Sequence, residues 1–259
     1  MKLRAALGVL LVVFLAAVCV RLGFWQLSRL AGKRAQNAVL RGALANDPVE
    51  IGRAPPPLER LRGFRVRMIG HYDEGWHVLL RGWEREGVPG VRVITPLVLG
   101  GGDAVLVDRG WLSAEDGATA RPQDCREPGT VTVVGLPDAI PAHVSGAPWQ
   151  VLSERSPTLW SARSLSLDSL RGRLPYAIAP YLVRQLPAPD LPRQPVRDPP
   201  ALANEAMHLG YAVQWFLFAV LLLVGPPIVL WVQRRAALGS RGAAGRARPG
   251  AGQGPTPVR

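Results

Sequence analysis

Met207-His208-Leu209-Gly210-Tyr211-Ala212-Val213-Gln214-Trp215-Phe216 opens a run of 26 residues, ending at Val232, that carries no formal charge. A run of that length predicts one helix able to cross a bilayer, whose hydrocarbon core needs about 20 apolar residues. Its leading end, from Asn204 and Glu205 onward, is too polar for a plain anchor. At about 100° per residue, Asn204, His208, Tyr211 and Trp215 fall on one helical face, with Gln214 well round from it. A membrane helix that displays imidazole, phenol and indole in its first turns is suited to bind something there.

The other end of the chain supplies a second span. Ala5 to Val20 is apolar throughout, and Leu22, Gly23, Phe24 and Trp25 lengthen the run across Arg21, whose long side chain can snorkel to the interface. The expected organisation is an N-terminal transmembrane helix (1–27), a β-rich domain with proline-rich linkers (28–206), a C-terminal transmembrane helix (207–232) and a basic, disordered tail (233–259). The middle segment, about 179 residues, is long enough to bury a core of its own. The fold class is therefore membrane α+β, with two transmembrane helices bracketing a mostly β extracytoplasmic domain.

Charge sets the orientation. Lys2 and Arg4 precede the first span, and Arg234, Arg235, Arg241, Arg246, Arg248 and Arg259 follow the second with no acid among them. Both termini are expected to be cytoplasmic. The segment Leu22 to Ala206 holds 22 Lys and Arg against 19 Asp and Glu, and a long domain translocates largely regardless of charge, so it is expected in the periplasm of a bacterial plasma membrane. The net charge of +12 sits mostly in the tails, which fits anionic lipid and argues against nucleic acid as a partner. A cleaved signal sequence is the competing reading of the N-terminus, but Ala17-Val18-Cys19 is a marginal cleavage site and Trp25 stands where an interfacial aromatic belongs.

Cys19 lies in the first span and Cys125 in a polar loop, so the domain must hold together by its core alone. Within it, Phe64 to Gly70, Trp76 to Arg81, Val91 to Leu99, Ala104 to Leu112 and Thr130 to Leu136 are short β-branched or aromatic runs that predict strands. Gly100-Gly101-Gly102-Asp103 predicts a tight antiparallel connection between two of them. Leu165 to Arg171 predicts a short helix and Ala177 to Gln185 a late strand. Asn46 to Pro57 is expected to be a linker, and Pro187 to Pro200, with six prolines, a stiff extended connector back to the membrane.

No catalytic chemistry is legible. His71, His77 and His143 lack metal-ligand spacing, with His71-Tyr72-Asp73 expected in a surface turn. There is no glycine-rich phosphate loop, serine nucleophile elbow or paired-carboxylate signature, so the chain reads as a non-enzyme. Two further clusters stand out. Leu22-Gly23-Phe24-Trp25-Gln26-Leu27-Ser28-Arg29, with Lys33, marks the exit of the first span. Leu106-Val107-Asp108-Arg109-Gly110-Trp111-Leu112 closes a strand. Each has a structural reading: Trp25 as interfacial anchor, Gln26 and Arg29 solvating a helix end, and Asp108 with Arg109 as an ion pair before a turn at Gly110.

Taken in order, Leu22-Gly23-x-Trp25-Gln26-x-x-Arg29-x-x-x-Lys33, Gly70-x-Tyr72-Asp73, Thr95-Pro96-Leu97, Val107-Asp108-Arg109-Gly110-Trp111 and His208-Leu209-Gly210-Tyr211-Ala212-x-Gln214-Trp215-Phe216 resemble the Surfeit locus protein one family, assembly factors of cytochrome c oxidase. The resemblance implies a role in maturing oxidase subunit I, with haem a as the molecule bound and handed over. It also implies that subunit I, the haem a synthesis machinery and the lipid bilayer are partners. The family's haem-associated histidine corresponds to His208, which would meet the haem iron. Placing about 20 residues in hydrocarbon puts the outer boundary near Tyr211 and His208 just outside it. Tyr211 and Trp215 would then line the porphyrin and Trp25 would close the site from the first span, whereas Met207, about 100° away, is a poor second ligand. The alternatives are an interfacial His208 bonded to water, phosphate or a loop carbonyl; a scaffold without cofactor; and an enzyme whose site lies in the β domain. Arg109 divides the same way. If it steadies propionates or a partner, Arg109→Gln impairs oxidase maturation and leaves unfolding unchanged, and a large loss of stability marks it as structural.

Overall fold

The computed structural model describes residues 2–246 apart from Ala147. Its outer elements are two long helices, α1 (Lys2–Ala45) and α3 (Ala206–Arg246). Each contains a stretch long and apolar enough to cross a membrane, Ala6–Ala45 and Ala206–Ala236. Leu10, Phe14, Leu217 and Leu221 are more than half exposed along them, a surface that suits lipid and not water. The chain is thus a membrane protein of α+β class, as its sequence predicts.

Both helices outrun the expected spans. Helix α1 continues through Arg29, Lys33, Arg34 and Arg41, good helix formers, and stops where Pro48 disfavours helical backbone in the residue before it. Helix α3 continues past Val232, with Arg235 stacked over the Trp231 ring at 4.0 Å. Residues 233–246 are therefore helical where disorder was expected, and 247–259 lie outside the described residues. By internal contacts the β-rich unit is Asn37–Leu202, narrower than the expected 28–206 because residues 28–36 and 203–206 group with the two helices.

Five strands of that unit close on themselves. In β2 (Val66–Tyr72), β4 (Val88–Leu99), β5 (Ala104–Ser113), β6 (Val131–Ala139) and β9 (Ile178–Gln185), pairing runs β2–β6–β9–β5–β4 and back to β2. Only β5–β9 is parallel within the ring. Alternation directs Val66, Met68 and Tyr72 of β2, and Ala179, Tyr181 and Val183 of β9, into a common core with Leu97, Val105, Val107 and Val133. Closure needs Gly70, because a Cβ there would strike the Val98 carbonyl where β2 meets β4.

Outside the ring, β3 (Trp76–Arg85) extends the sheet from β4, β8 (Thr158–Ala162) adds in parallel and β7 (Gln150–Ser153) forms the edge. A second core of Trp76, Val78, Ile94, Leu106 and Leu170 fills the space under α2 (Leu167–Leu170), whose first turn is capped by Ser166 accepting from the Ser169 N–H at 3.2 Å. Strands β4 and β5 are buried on both faces because they belong to both layers. The predicted antiparallel connection at Gly100 to Asp103 is present, with Gly102 at φ +91°.

Two expectations fail. The linker at Asn46 to Pro57 contains a strand, β1 (Val49–Ile51), paired in parallel with β2. The connector at Pro187 to Pro200 is no free spacer, since Val196 exchanges both backbone hydrogen bonds with Trp111, each 2.8 Å, and Arg197 is buried.

Candidate functional site

Helix α3 begins where the Asn204 carboxamide accepts from the Ala206 N–H at 3.0 Å. Glu205 pairs with Arg34 of α1 at 3.2 Å. Further along, a Cβ on Gly23 would come within 2.6 Å of the Phe216 ring, and Phe24 meets that ring edge-on at 5.4 Å. Ala16 and Cys19 of α1, with Ala212 and Ala219 of α3, are buried along the inner faces, the small residues that let membrane helices approach. Between these contacts His208 Nδ1 lies 2.9 Å from Gln26 Oε1. A carbonyl oxygen only accepts, so Nδ1–H is the donor in this contact, and Nε2 is the ring nitrogen left for another partner.

The other residues expected at this site are spread around it. Trp25 is half exposed and stacks with the Arg29 guanidinium at 5.5 Å. Tyr211 is also half exposed, because Ala212 and not Tyr211 follows His208 on the inward face. Trp215 packs edge-on against Phe218 at 5.9 Å. Arg21, Leu22, Phe24, Trp25 and Ser28 line a hollow of about 560 Å³ on α1. Among the described residues no three of His, Cys, Asp and Glu converge on a metal position. A macrocycle that brings its own nitrogens needs only one axial side chain.

The β-rich unit holds a second polar constellation, capping one end of the ring. A bulge in β5 opposite Val93 and Ile94 turns Arg109 inward. Arg109 is fully buried. It donates to Glu74 and Glu127 at 3.0 Å each and to the Cys125 carbonyl, and its guanidinium lies 4.3 Å from the Tyr72 ring centre. Arg197 donates to Glu127 at 2.8 Å, to Gln185 at 3.1 Å and to the carbonyls of Pro192 and Pro195. Two guanidinium groups thus face two carboxylates. Burial holds the Tyr72 phenol above its usual range, so it stays neutral.

This geometry corrects the expected Asp108–Arg109 pair. Successive strand residues point to opposite faces, so Asp108 instead accepts from Arg92 at 2.6 Å and from the Gly110 N–H at 3.1 Å. Gly110 forms no turn; it continues β5 at φ +124°. Tyr72 is buried in the core, not in a surface turn.

Comparison with known proteins decides the family. The SURF1 family profile matches residues 13–220, which takes in most of α1, all of the β-rich unit and the first turns of α3. The chain belongs to the SURF1 family. Uncharacterized SURF1-like proteins of Mycobacterium bovis and of two strains of Mycobacterium tuberculosis are each 26% identical over 237 residues, covering 89% of this chain and 84% of theirs. SURF1 membership places the chain among assembly factors of cytochrome oxidase.

His77 was not singled out from sequence, yet it completes the SURF1 chain's buried cap. Its Nδ1 lies 2.9 Å from Thr95 Oγ1 and its Nε2 3.6 Å from Glu74. Burial and then Arg109 lower its pKa from 6.5 to about 4. The folded state therefore refuses a proton that the unfolded chain accepts, and stability present above pH 6.5 is lost as pH falls towards 4. The loss is about 3 kcal/mol across that window. His77→Gln is expected to flatten this part of the stability curve, measured by urea unfolding at stepped pH; an unchanged slope would place the titration elsewhere.

Proposed function

We propose that the chain is a membrane-tethered, non-enzymatic assembly factor that takes up haem a at the outer face of a bacterial plasma membrane and presents it to nascent oxidase subunit I. The single observation that carries this reading is the His208–Gln26 hydrogen bond, which leaves Nε2 of His208 free to act as an axial ligand beside exposed aromatic rings. The residues fit the cargo. His208 would hold the iron, Trp25, Tyr211 and Trp215 would cover porphyrin surface, and the nearby Arg29 would favour propionates at the aqueous edge. Haem a itself is inserted later as a redox group of the oxidase, and no chemical step is assigned to this chain. The basic residues flanking both spans support cytoplasmic termini and a periplasmic central domain. The haem a synthesis machinery would be the donor.

The test is haem content. Full-length protein purified from cells co-expressing haem a synthesis is expected to carry haem a, and His208→Ala to lose most of it. Equal haem in the two would remove His208 as ligand. One observation favours a second reading: Trp25 makes no hydrogen bond or ring contact with His208, Tyr211 or Trp215 among the described residues. A scaffold that steadies a subunit I intermediate without cofactor needs no such convergence. Haem-free wild-type protein that still copurifies with subunit I would establish it. The exported-domain enzyme finds less support, because the convergent polar groups of the β-rich unit are buried and paired with each other.

A further inference from the structure

From the contact at 2.9 Å between His208 Nδ1 and Gln26 Oε1, we infer that Gln26 is a positioning residue that fixes the tautomer and heading of the His208 ring, and so sets how strongly Nε2 donates to a bound haem iron. This inference rests on the reading just given and extends it to α1. A histidine in the outer turns of a membrane helix has two ring nitrogens of nearly equal basicity and a freely turning side chain, so either nitrogen could face a metal. An acceptor on one nitrogen removes that ambiguity. The Gln26 carbonyl accepts a hydrogen bond from Nδ1–H, holds the ring at one angle and leaves the lone pair on Nε2.

The choice of an amide matters as well. A carboxylate at position 26 would draw the Nδ1 proton more strongly and make the imidazole a stronger donor. The neutral amide gives an intermediate ligand, which suits a carrier that must release its cargo. Gln26 does not owe its place to this hydrogen bond. The Arg34–Glu205 ion pair and the seating of Phe216 and Phe24 at Gly23 join the same two helices independently. The amide can therefore be altered while other contacts between the helices remain.

The experiment titrates ferric haem a into full-length protein in lipid nanodiscs and measures affinity, absorption spectrum and midpoint potential for wild type and four variants. Gln26→Leu is expected to weaken binding about 10- to 100-fold, the usual cost of losing an outer-shell partner of a metal ligand. Gln26→Glu is expected to retain binding and to shift the midpoint potential negative, a change that helix packing alone does not produce. Arg34→Ala is expected to match wild type in all three readouts. His208→Ala is expected to abolish axial ligation.

The outcomes separate the two claims. If Gln26→Leu and Gln26→Glu both match wild type while His208→Ala loses haem, Gln26 has no positioning role and the ligand assignment stands. Should His208→Ala bind as wild type does, the ligand assignment fails and this inference with it. If Arg34→Ala reproduces the loss seen for Gln26→Leu, the contact merely joins helices and the inference is overturned. Where Gln26→Leu does not accumulate, the potential of Gln26→Glu decides: an unchanged value rejects the inference.

Discussion

Replacing Arg109 by glutamine is expected to lower the unfolding free energy by about 3–5 kcal/mol, the usual cost of removing one partner from a buried ion pair. Arg109 is fully buried and supplies hydrogen bonds to both Glu74 and Glu127. Glutamine removes the charge and most of the donors, so the partly buried Glu74 loses its guanidinium partner and Glu127 is left with Arg197. The Tyr72 ring also loses its cation. In thermal unfolding of the full chain in detergent this corresponds to a drop on the order of 10 °C. Arg109→Lys, which keeps the charge but not the planar fork, is expected to fall between the two. A midpoint within about 1 °C of wild type would mean that the cap does not hold the ring together. If the midpoint falls as expected, lost oxidase maturation in Arg109→Gln cells follows from lost protein, and haem loading of the surviving fraction is normal.

The second large effect is expected at Gly110. Its φ of +124° lies where an L side chain is strained, at a cost of about 1–3 kcal/mol. A Cβ there would also strike the Val196 carbonyl, which is paired with the Trp111 N–H. Gly110→Ala should therefore push the connector off β5, forfeiting the two Trp111–Val196 hydrogen bonds at about 1 kcal/mol each and a total of about 3 kcal/mol. The local readout is proteolysis. Arg197 is buried in the folded unit, so tryptic cleavage after it should be slow in wild type and rapid in Gly110→Ala. Equal protection in both would show that the connector is held without Gly110.

The parts of the fold legible in the sequence are those where one physical pattern dominates. Uncharged runs reveal both spans, and β-branched runs broken by glycine reveal β2 to β6 and β9. Strands β1, β7 and β8 are three to five residues long and take their stability from neighbours far along the chain, which local pattern does not encode. Helical periodicity puts His208 and Tyr211 on one face, but which edge of that face meets α1 depends on packing, and Ala212 takes the inward position instead. Gln26 reads as a solvated helix end because its partner lies 182 residues away. Arg109 beside Asp108 looks like a local ion pair, and the bulge that sends the two side chains to different partners leaves no sequence signature beyond Gly110.

The ring's order of assembly has a consequence for biogenesis. Strand β9 is the last of the ring to be made, yet it sits between β5 and β6, made far earlier. A growing chain that has not reached Gln185 leaves two bare strand edges and an open, oily interior, much as an arch stands unfinished until its keystone drops in. Nascent chains stalled or cut before that point would therefore be sticky and short-lived, and quality control has a long interval in which to remove them.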